Sequence, residues 1–273
     1  MTEMGAIAAR GGGLTFLGQL VWRLRYLYSI AFLLSAWALA SEFGWVDQFL
    51  LPSIPSIVER GASEIASGKI FPHLAGTAYR TFVSLICASV LGVGIGTAMR
   101  VFPLMRWFWD PIVSAMFPIP KIAFMPIFIL WFGTFDASKI IMTIFASIVP
   151  IISATYLGAC SIDQHLFWSA RSMGTPERKI ILRVVVPASL PSILNGIQIA
   201  TPLCLIVTVV TEMMTGGRGL GSYMIFATRF GESDKVFFGI IVTAAFGIAL
   251  IEAIRLLRKL ALPWHSEAGR TSE

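Results

Sequence analysis

Lys121 and Glu212 are ionisable residues that each sit within a run of apolar ones, a setting in which a charge usually has a task. Glu212 ends a polar series on one such run, made of Asn195, Gln198, Thr201, Thr208, Thr211 and Glu212. Thr208 and Thr211 follow Thr201 by seven and ten residues, close to whole helical turns, so the three hydroxyls share one helix face. Two accounts fit that face: a polar lining for a solute path, or hydrogen bonds to a neighbouring helix. Lys121, in "PIPKIAFMP", lies at membrane depth if its helix begins before Pro118, and near a surface if it begins after Pro120.

A third arrangement is basic and exposed in character. "SARSMGTPERKIILRVVVPASLP", Ser169 to Pro191, interrupts an otherwise oily sequence. The residues from His165 to Met173 read as one short helix stopped by Gly174, because a left-handed cap suits glycine. Thr175 caps a second helix, with Pro176 in its first position and Glu177 in its first turn. On that helix Ile180, Ile181, Val184 and Val185 form one face, and Arg178, Lys179 and Arg183 the other. Pro187 and Pro191 mark where the next apolar run starts. Two capped helices with little slack suit an element that docks a partner or transmits force.

Other patterns carry no chemistry. "GVGIG", Gly92 to Gly96, follows no soluble strand and lacks the third glycine of a dinucleotide loop. "GASEIASGK", Gly61 to Lys69, has six residues between its glycines and Ile70 where a phosphate loop needs Ser or Thr. Cys87, Cys160 and Cys204 lack metal-ligand spacing, and His73, His165 and His265 are scattered. No cofactor or metal site is expected, and no clustered acid-base constellation suggests an enzyme. A helix-turn-helix for nucleic acid would need a supporting domain, for which the stretch between apolar runs has no room.

The elements that position these residues follow from composition. The chain is 56% hydrophobic and 13% charged, with mean hydropathy +0.78, whereas a soluble domain is about 25% charged. A helix needs roughly 20 apolar residues to cross a bilayer. Six segments qualify, near Tyr26–Ala40, Thr77–Met99, Ile112–Phe132, Ile140–Ala159, Ile193–Met214 and Val236–Ile251. The predicted fold is therefore all-α, a polytopic membrane protein with six transmembrane helices. Its parts are an N-terminal tail over 1–25, a membrane domain over 26–258 with a loop at about 161–191, and a tail over 259–273. Lys and Arg favour the side that carries both termini and that loop, which makes this side cytoplasmic and accounts for the net charge of +6. Ala38-Leu39-Ala40 resembles a signal-peptidase site; the long leader favours an uncleaved anchor, and a mature N-terminus at Ser41 would overturn that. Ile54 to Ile65 is an amphipathic helix expected to lie on the external membrane surface.

Within the membrane, Ser84, Ala88, Gly92 and Gly96 recur every fourth residue, a ridge of small side chains against which another helix can pack closely. Pro111, Pro118, Pro120 and Pro126 bend the third segment, whose freed carbonyls call for neighbouring protein, so it is expected inside the bundle.

The loop resembles the signature of the membrane subunits of ABC importers: Glu-Ala-Ala, three residues, Gly, nine residues, then Ile-x-Leu-Pro. The frame falls on Trp168, Ser169, Ala170, Gly174, Val184, Val186 and Pro187 with every spacing kept. "LPSIPSIVERG" from Leu51, "PKIAFMPIFILWFG" from Pro120, "ARSMGTPERKIILRVVVPASLPSILNGIQIA" from Ala170 and "TEMMTGGRGLGSYM" from Thr211 resemble the nitrate, sulfonate, taurine and bicarbonate branch. The resemblance implies a six-helix permease subunit in the inner (plasma) membrane, paired with a second copy or paralogue. It implies two ATP-binding ABC subunits on the cytoplasmic face and an external substrate-binding protein. It places ATPase coupling on Trp168, Ser169, Ala170, Arg171, Gly174, Thr175, Pro176, Arg178 and Pro187. Trp168 departs from the pattern, replacing the signature carboxylate with an indole suited to an apolar groove. An ion-coupled transporter or channel without an ATPase is the competing class; apart from Lys121 and Glu212 it would have few intramembrane charges to use.

Overall fold

The computed structural model describes residues 28–263. Among these the regular elements are all helical. A helix through 28–42 (α1) leads to α2 (Ile54–Ala66), α3 (Ile70–Val101), α4 (Pro103–Met116), a 3-10 turn at Lys121–Phe124 and α5 (Met125–Phe132). Then come α6 (Asp136–Cys160), α7 (Gln164–Ser172), α8 (Glu177–Ile180), a π turn at Ile181–Val185, α9 (Val186–Thr215), α10 (Leu220–Arg229) and α11 (Ser233–Ala261).

Four helices among the described residues are long and apolar enough to cross a bilayer: α3, α6, the helix over Arg183–Thr215, and α11. The bent pair α4 and α5 makes a fifth if it counts as one span. The expected first span begins outside the described residues, as does the tail over 1–25. At the other end α11 continues past 258 to Ala261, and 264–273 lie outside the description.

The third expected span, Ile112–Phe132, is not one helix. α4 and the segment Lys121–Phe132 meet at 99°, because Pro118 and Pro120 bring no amide donors to continue α4 and the backbone leaves helical geometry at Pro120, with φ −70° and ψ 89°. Nor is α4 inside the bundle: of its residues only Val113 is buried, while Leu104 and Trp107 are exposed. The amphipathic helix α2 exists as expected, capped by the Ser53 hydroxyl, which accepts from the Ser56 amide at 3.3 Å. One face docks on α11, where a Cβ at Gly61 would come within 2.7 Å of the Phe238 ring.

The centre of the bundle is α6, which packs on α3 and on α9. Small residues set both crossings. Ser84 and Ala88 are wholly buried on α3, a Cβ at Gly92 would approach Ile151 to 2.8 Å, and one at Gly96 would approach the Ile152 carbonyl oxygen to 2.7 Å. On the α9 side a Cβ at Gly158 would fall 2.3 Å from Ser192, and one at Gly196 2.7 Å from Ala154. Neither lipid tails nor helix faces gain by hydrophobic burial here, so close backbone approach and dispersion hold the helices together. Gly96→Leu is therefore expected to destabilise the permease by about 1–3 kcal/mol or to block its folding. Gly94→Leu, on the same helix with open space around its Cβ, should melt like the wild type; thermal unfolding in detergent compares the two.

Candidate functional site

The capped loop forms at one end of α6 and α9. Asp163 caps α7 by accepting from the His165 amide at 2.9 Å. At the other end the Thr175 amide donates to the Ala170 carbonyl at 3.1 Å and the Gly174 amide to the Arg171 carbonyl at 2.9 Å, the paired bonds of a Schellman cap. Gly174 has φ +71° as this cap requires. Pro176 starts α8, its carbonyl accepting from the Lys179 amide at 2.8 Å. Ala170, Ile180 and Val185 bury against Ala159 and Ile162, so the loop shares a small core with the end of α6.

Pro187 and Pro191 do not separate the loop from the next span. Helical structure runs unbroken from Glu177 to Thr215, with the π turn absorbing an extra residue ahead of Pro187. The Pro187 ring, near the start of α9, therefore fits without a break. Three large apolar side chains stand uncovered on the loop among its polar ones: Leu166, Trp168 (56% exposed) and Met173 (76% exposed). The Trp168 ring stands edge-on to His165 at 5.2 Å. Ser169, Arg171 and Pro176 are also exposed and Thr175 half-buried, while the side chain of Arg178 lies outside the described residues.

The polar series on α9 is spread over different settings. Thr201, Thr208, Thr211 and Glu212 are buried within the chain and hydrogen-bonded inside it. Thr201 donates to the Ile197 carbonyl at 2.7 Å, Thr211 to the Thr208 carbonyl at 2.8 Å, and Thr208 meets Thr143 of α6 at 3.3 Å. Gln198 is half-buried and accepts from Arg258 of α11 at 3.3 Å. Lys121 is half-buried in the 3-10 turn at the α4–α5 bend.

Glu212 centres a charge cluster at the opposite end of the bundle from α7. Its carboxylate, 0% exposed, accepts from Arg80 Nη1 at 2.6 Å, from the Thr77 hydroxyl at 2.8 Å and from the Gly221 amide at 3.0 Å. Arg80 is also bonded to Asp136 at 2.8 Å and to the Arg218 carbonyl at 2.6 Å, so one guanidinium ties α3 to α6 and α9. Lys139, 2% exposed, donates to the Gly216 carbonyl at 2.8 Å. These bonds fold the loop between α9 and α10 back over the carboxylate. A Cβ at Gly219 would fall 2.3 Å from Glu212 Cδ, and one at Gly221 2.1 Å from the Val209 carbonyl oxygen. Gly219 and Gly221 of "GGRGLG" are thus spaces for close approach, while Gly216 and Gly217, with φ +71° and +91°, turn the backbone. Sequence reasoning singled out Glu212 but missed Arg80, Asp136 and Lys139. The available signal was that a carboxylate in an apolar run needs a cation.

Long apolar helices crossed through small residues, with one capped loop joining two of them, define a multi-pass membrane protein. The description of binding-protein-dependent transport system inner membrane components matches residues 88–261, and the chain belongs to that family: it is the membrane-spanning permease subunit of an ABC importer. It is 29% identical to the taurine transport system permease protein TauC of Escherichia coli (strain K12) over 244 residues, 88% of this chain and 89% of that one. It is 31% identical to the putative aliphatic sulfonates transport permease protein SsuC of Bacillus subtilis (strain 168), covering 86% of each. A chain of the MetNI methionine ABC transporter in an inward-facing form shares the fold, with TM-score 0.64 and 18% identity, covering 72% of this chain and 98% of that one. A bacterial ABC transporter that imports alginate does too, with TM-score 0.63, 13% identity and coverage of 90% and 94%. ABC importer permeases work with ATPase subunits and substrate-binding proteins, typically as dimers.

Proposed function

We propose that this permease, paired with a second copy or a paralogue, forms the path for a small sulfonate-type anion, with α7 as the element that an ATPase subunit grips. The observation that carries this is the rigid, apolar-tipped α7 at the joint of α6 and the helix entering α9. α7 then faces the cytoplasm, in keeping with the surplus of Lys and Arg on its side and with both termini there. The sulfonate class rests on the names of the relatives TauC and SsuC.

The mechanism follows from how α7 is attached. When ATP closes the ATPase dimer, a groove holding Trp168 and Met173 shifts and α7 shifts with it. The shared core of Ala159, Ala170, Ile180 and Val185 passes the displacement to α6 and α9 together. The close crossings at Gly158 and Gly196 leave the two helices little freedom to slide, so they tilt as one body and change which side is open. Of the polar residues expected along the path, Lys121 and Gln198 are only half-buried and are left to meet solute, while Thr208 and Glu212 bond to neighbouring helices and Thr201 and Thr211 to carbonyls of their own helix.

The test is co-purification and ATP-driven uptake in proteoliposomes with the ATPase and binding protein of the same system. Gly174→Val is expected to uncouple or disassemble the complex. No atom lies within 4 Å of a Cβ at Gly174, so the penalty is the left-handed backbone itself, about 1–2 kcal/mol. Gly174→Asn should restore coupling, because asparagine tolerates that conformation. Wild-type transport in Gly174→Val would contradict the role of the cap. Uptake driven by a proton gradient without any ATPase would overturn the proposal.

A further inference from the structure

A cavity of about 470 Å³ opens at the Glu212 end of the bundle, lined by Glu64, Lys69, His73, Arg218, Tyr223 and Lys235. These come from four places in the sequence: α2, the start of α3, the loop between α9 and α10 with α10 itself, and the start of α11. Their charges do not cancel. Lys235 lies 2.6 Å from Glu232 and 4.0 Å from Glu64, so its charge is met by carboxylates. Lys69 and Arg218 make no side-chain ion pair or hydrogen bond among the described residues, and both are exposed. Tyr223 is 9% exposed and closes one wall with its ring, its hydroxyl being shut away from solvent and without a hydrogen bond among the described residues.

The walls are held before any ligand arrives. Nδ1 of His73 contacts the Gly219 backbone, 3.0 Å from its carbonyl oxygen and 3.2 Å from its amide nitrogen. Arg80 holds the Arg218 carbonyl at 2.6 Å and Lys139 the Gly216 carbonyl at 2.8 Å. The backbone that carries Arg218 is therefore fixed on both sides of it. The volume falls in the range of small-molecule sites, roughly 300–1,000 Å³, and two uncompensated cations in a recess concentrate anions there.

We propose that this cavity binds a small free oxyanion of the sulfonate class, with Lys69 and Arg218 on its oxygens. That this anion is the transported solute rests on the importer reading. Arg218 supplies a planar fork that matches two oxygens, and Lys69 a compact charge.

The test uses the full-length permease in nanodiscs of neutral phosphatidylcholine, with radiolabelled ethanesulfonate in equilibrium dialysis. Saturable binding is expected. Lys69→Gln with Arg218→Gln should weaken it at least about tenfold, the effect of losing charge-assisted hydrogen bonds, while Lys69→Arg with Arg218→Lys should keep most of it. Both side chains are exposed, so unfolding midpoints of the variants are expected to match the wild type. No saturable binding to the wild type, or equal binding by the double glutamine variant, overturns the site. Displacement of the probe by phosphatidylglycerol built into the disc would make a lipid headgroup the occupant and overturn the free anion. ATP-driven uptake is measured in parallel. Uptake without this binding removes the site and leaves the importer reading standing; binding without ATP-driven uptake does the reverse.

Discussion

Glu212→Ala is expected to destabilise the permease by about 3–5 kcal/mol, more than any other single substitution proposed for this chain, because it strands a buried guanidinium. Arg80 is 5% exposed, and without Glu212 it keeps only the half-exposed Asp136 and one backbone carbonyl. The Thr77 hydroxyl and the Gly221 amide lose their shared acceptor at the same time. The loop over 216–219 should then lift, since the carboxylate is what it folds onto. Thermal unfolding in detergent and limited proteolysis of that loop are the measurements. Glu212→Gln retains the shape and one acceptor oxygen and should fall between wild type and Glu212→Ala. In the double variant Arg80→Met with Glu212→Leu the loss should be smaller than the sum of the singles, because removing both charges leaves neither one buried alone. An unchanged melting temperature in Glu212→Ala would show that the cluster contributes nothing to holding the fold.

Trp168→Ala is expected to weaken association with the ATPase by about 2–4 kcal/mol, roughly 30- to 1,000-fold in affinity, as truncation of a central aromatic anchor does. The indole is exposed in the permease and shares the tip of α7 with Leu166 and Met173. Fold stability should barely change, since Trp168 lies outside the core of Ala159, Ile162, Ala170, Ile180 and Val185. Lys179→Ala, which removes an exposed charge on α8, should cost less than about 1 kcal/mol. A pull-down titration of the ATPase against the two variants gives the order, and equal losses would contradict an apolar groove at Trp168. Trp168→Glu, which restores the signature carboxylate, should also bind poorly, because a charge would enter a site shaped for an indole.

The two variants probe opposite ends of one molecule, and those ends were unequally legible in the sequence. The α7 loop was read closely because its determinants are local. Gly174, Thr175 and Pro176 make backbone bonds to residues within a few positions of themselves, so spacing along the chain is spacing in the structure; the Asp163 cap, which the sequence reading did not single out, is equally local. The small-residue ridge on α3 was legible for the same reason, since every fourth residue of a helix shares a face. The partner of that ridge was not, because Ile151, Ile152 and Thr155 of α6 meet it across more than fifty residues of chain. The bend of the third segment was legible from its prolines, whereas the 99° between α4 and the segment Lys121–Phe132 was not, because hydropathy stays continuous through a turn of the backbone.

By itself the sequence determined the membrane class, the helical periodicity, the capped loop and its family frame, all properties written in composition or in contacts a turn apart. Only the tertiary structure decided that Glu212 holds a loop through Arg80, that Lys139 is bound to Gly216, and that Lys69 and Arg218 share a cavity with Tyr223. The physical reason is that a charge in a low-dielectric interior is defined by its partner, and the partner's distance in space has no counterpart in its distance along the chain.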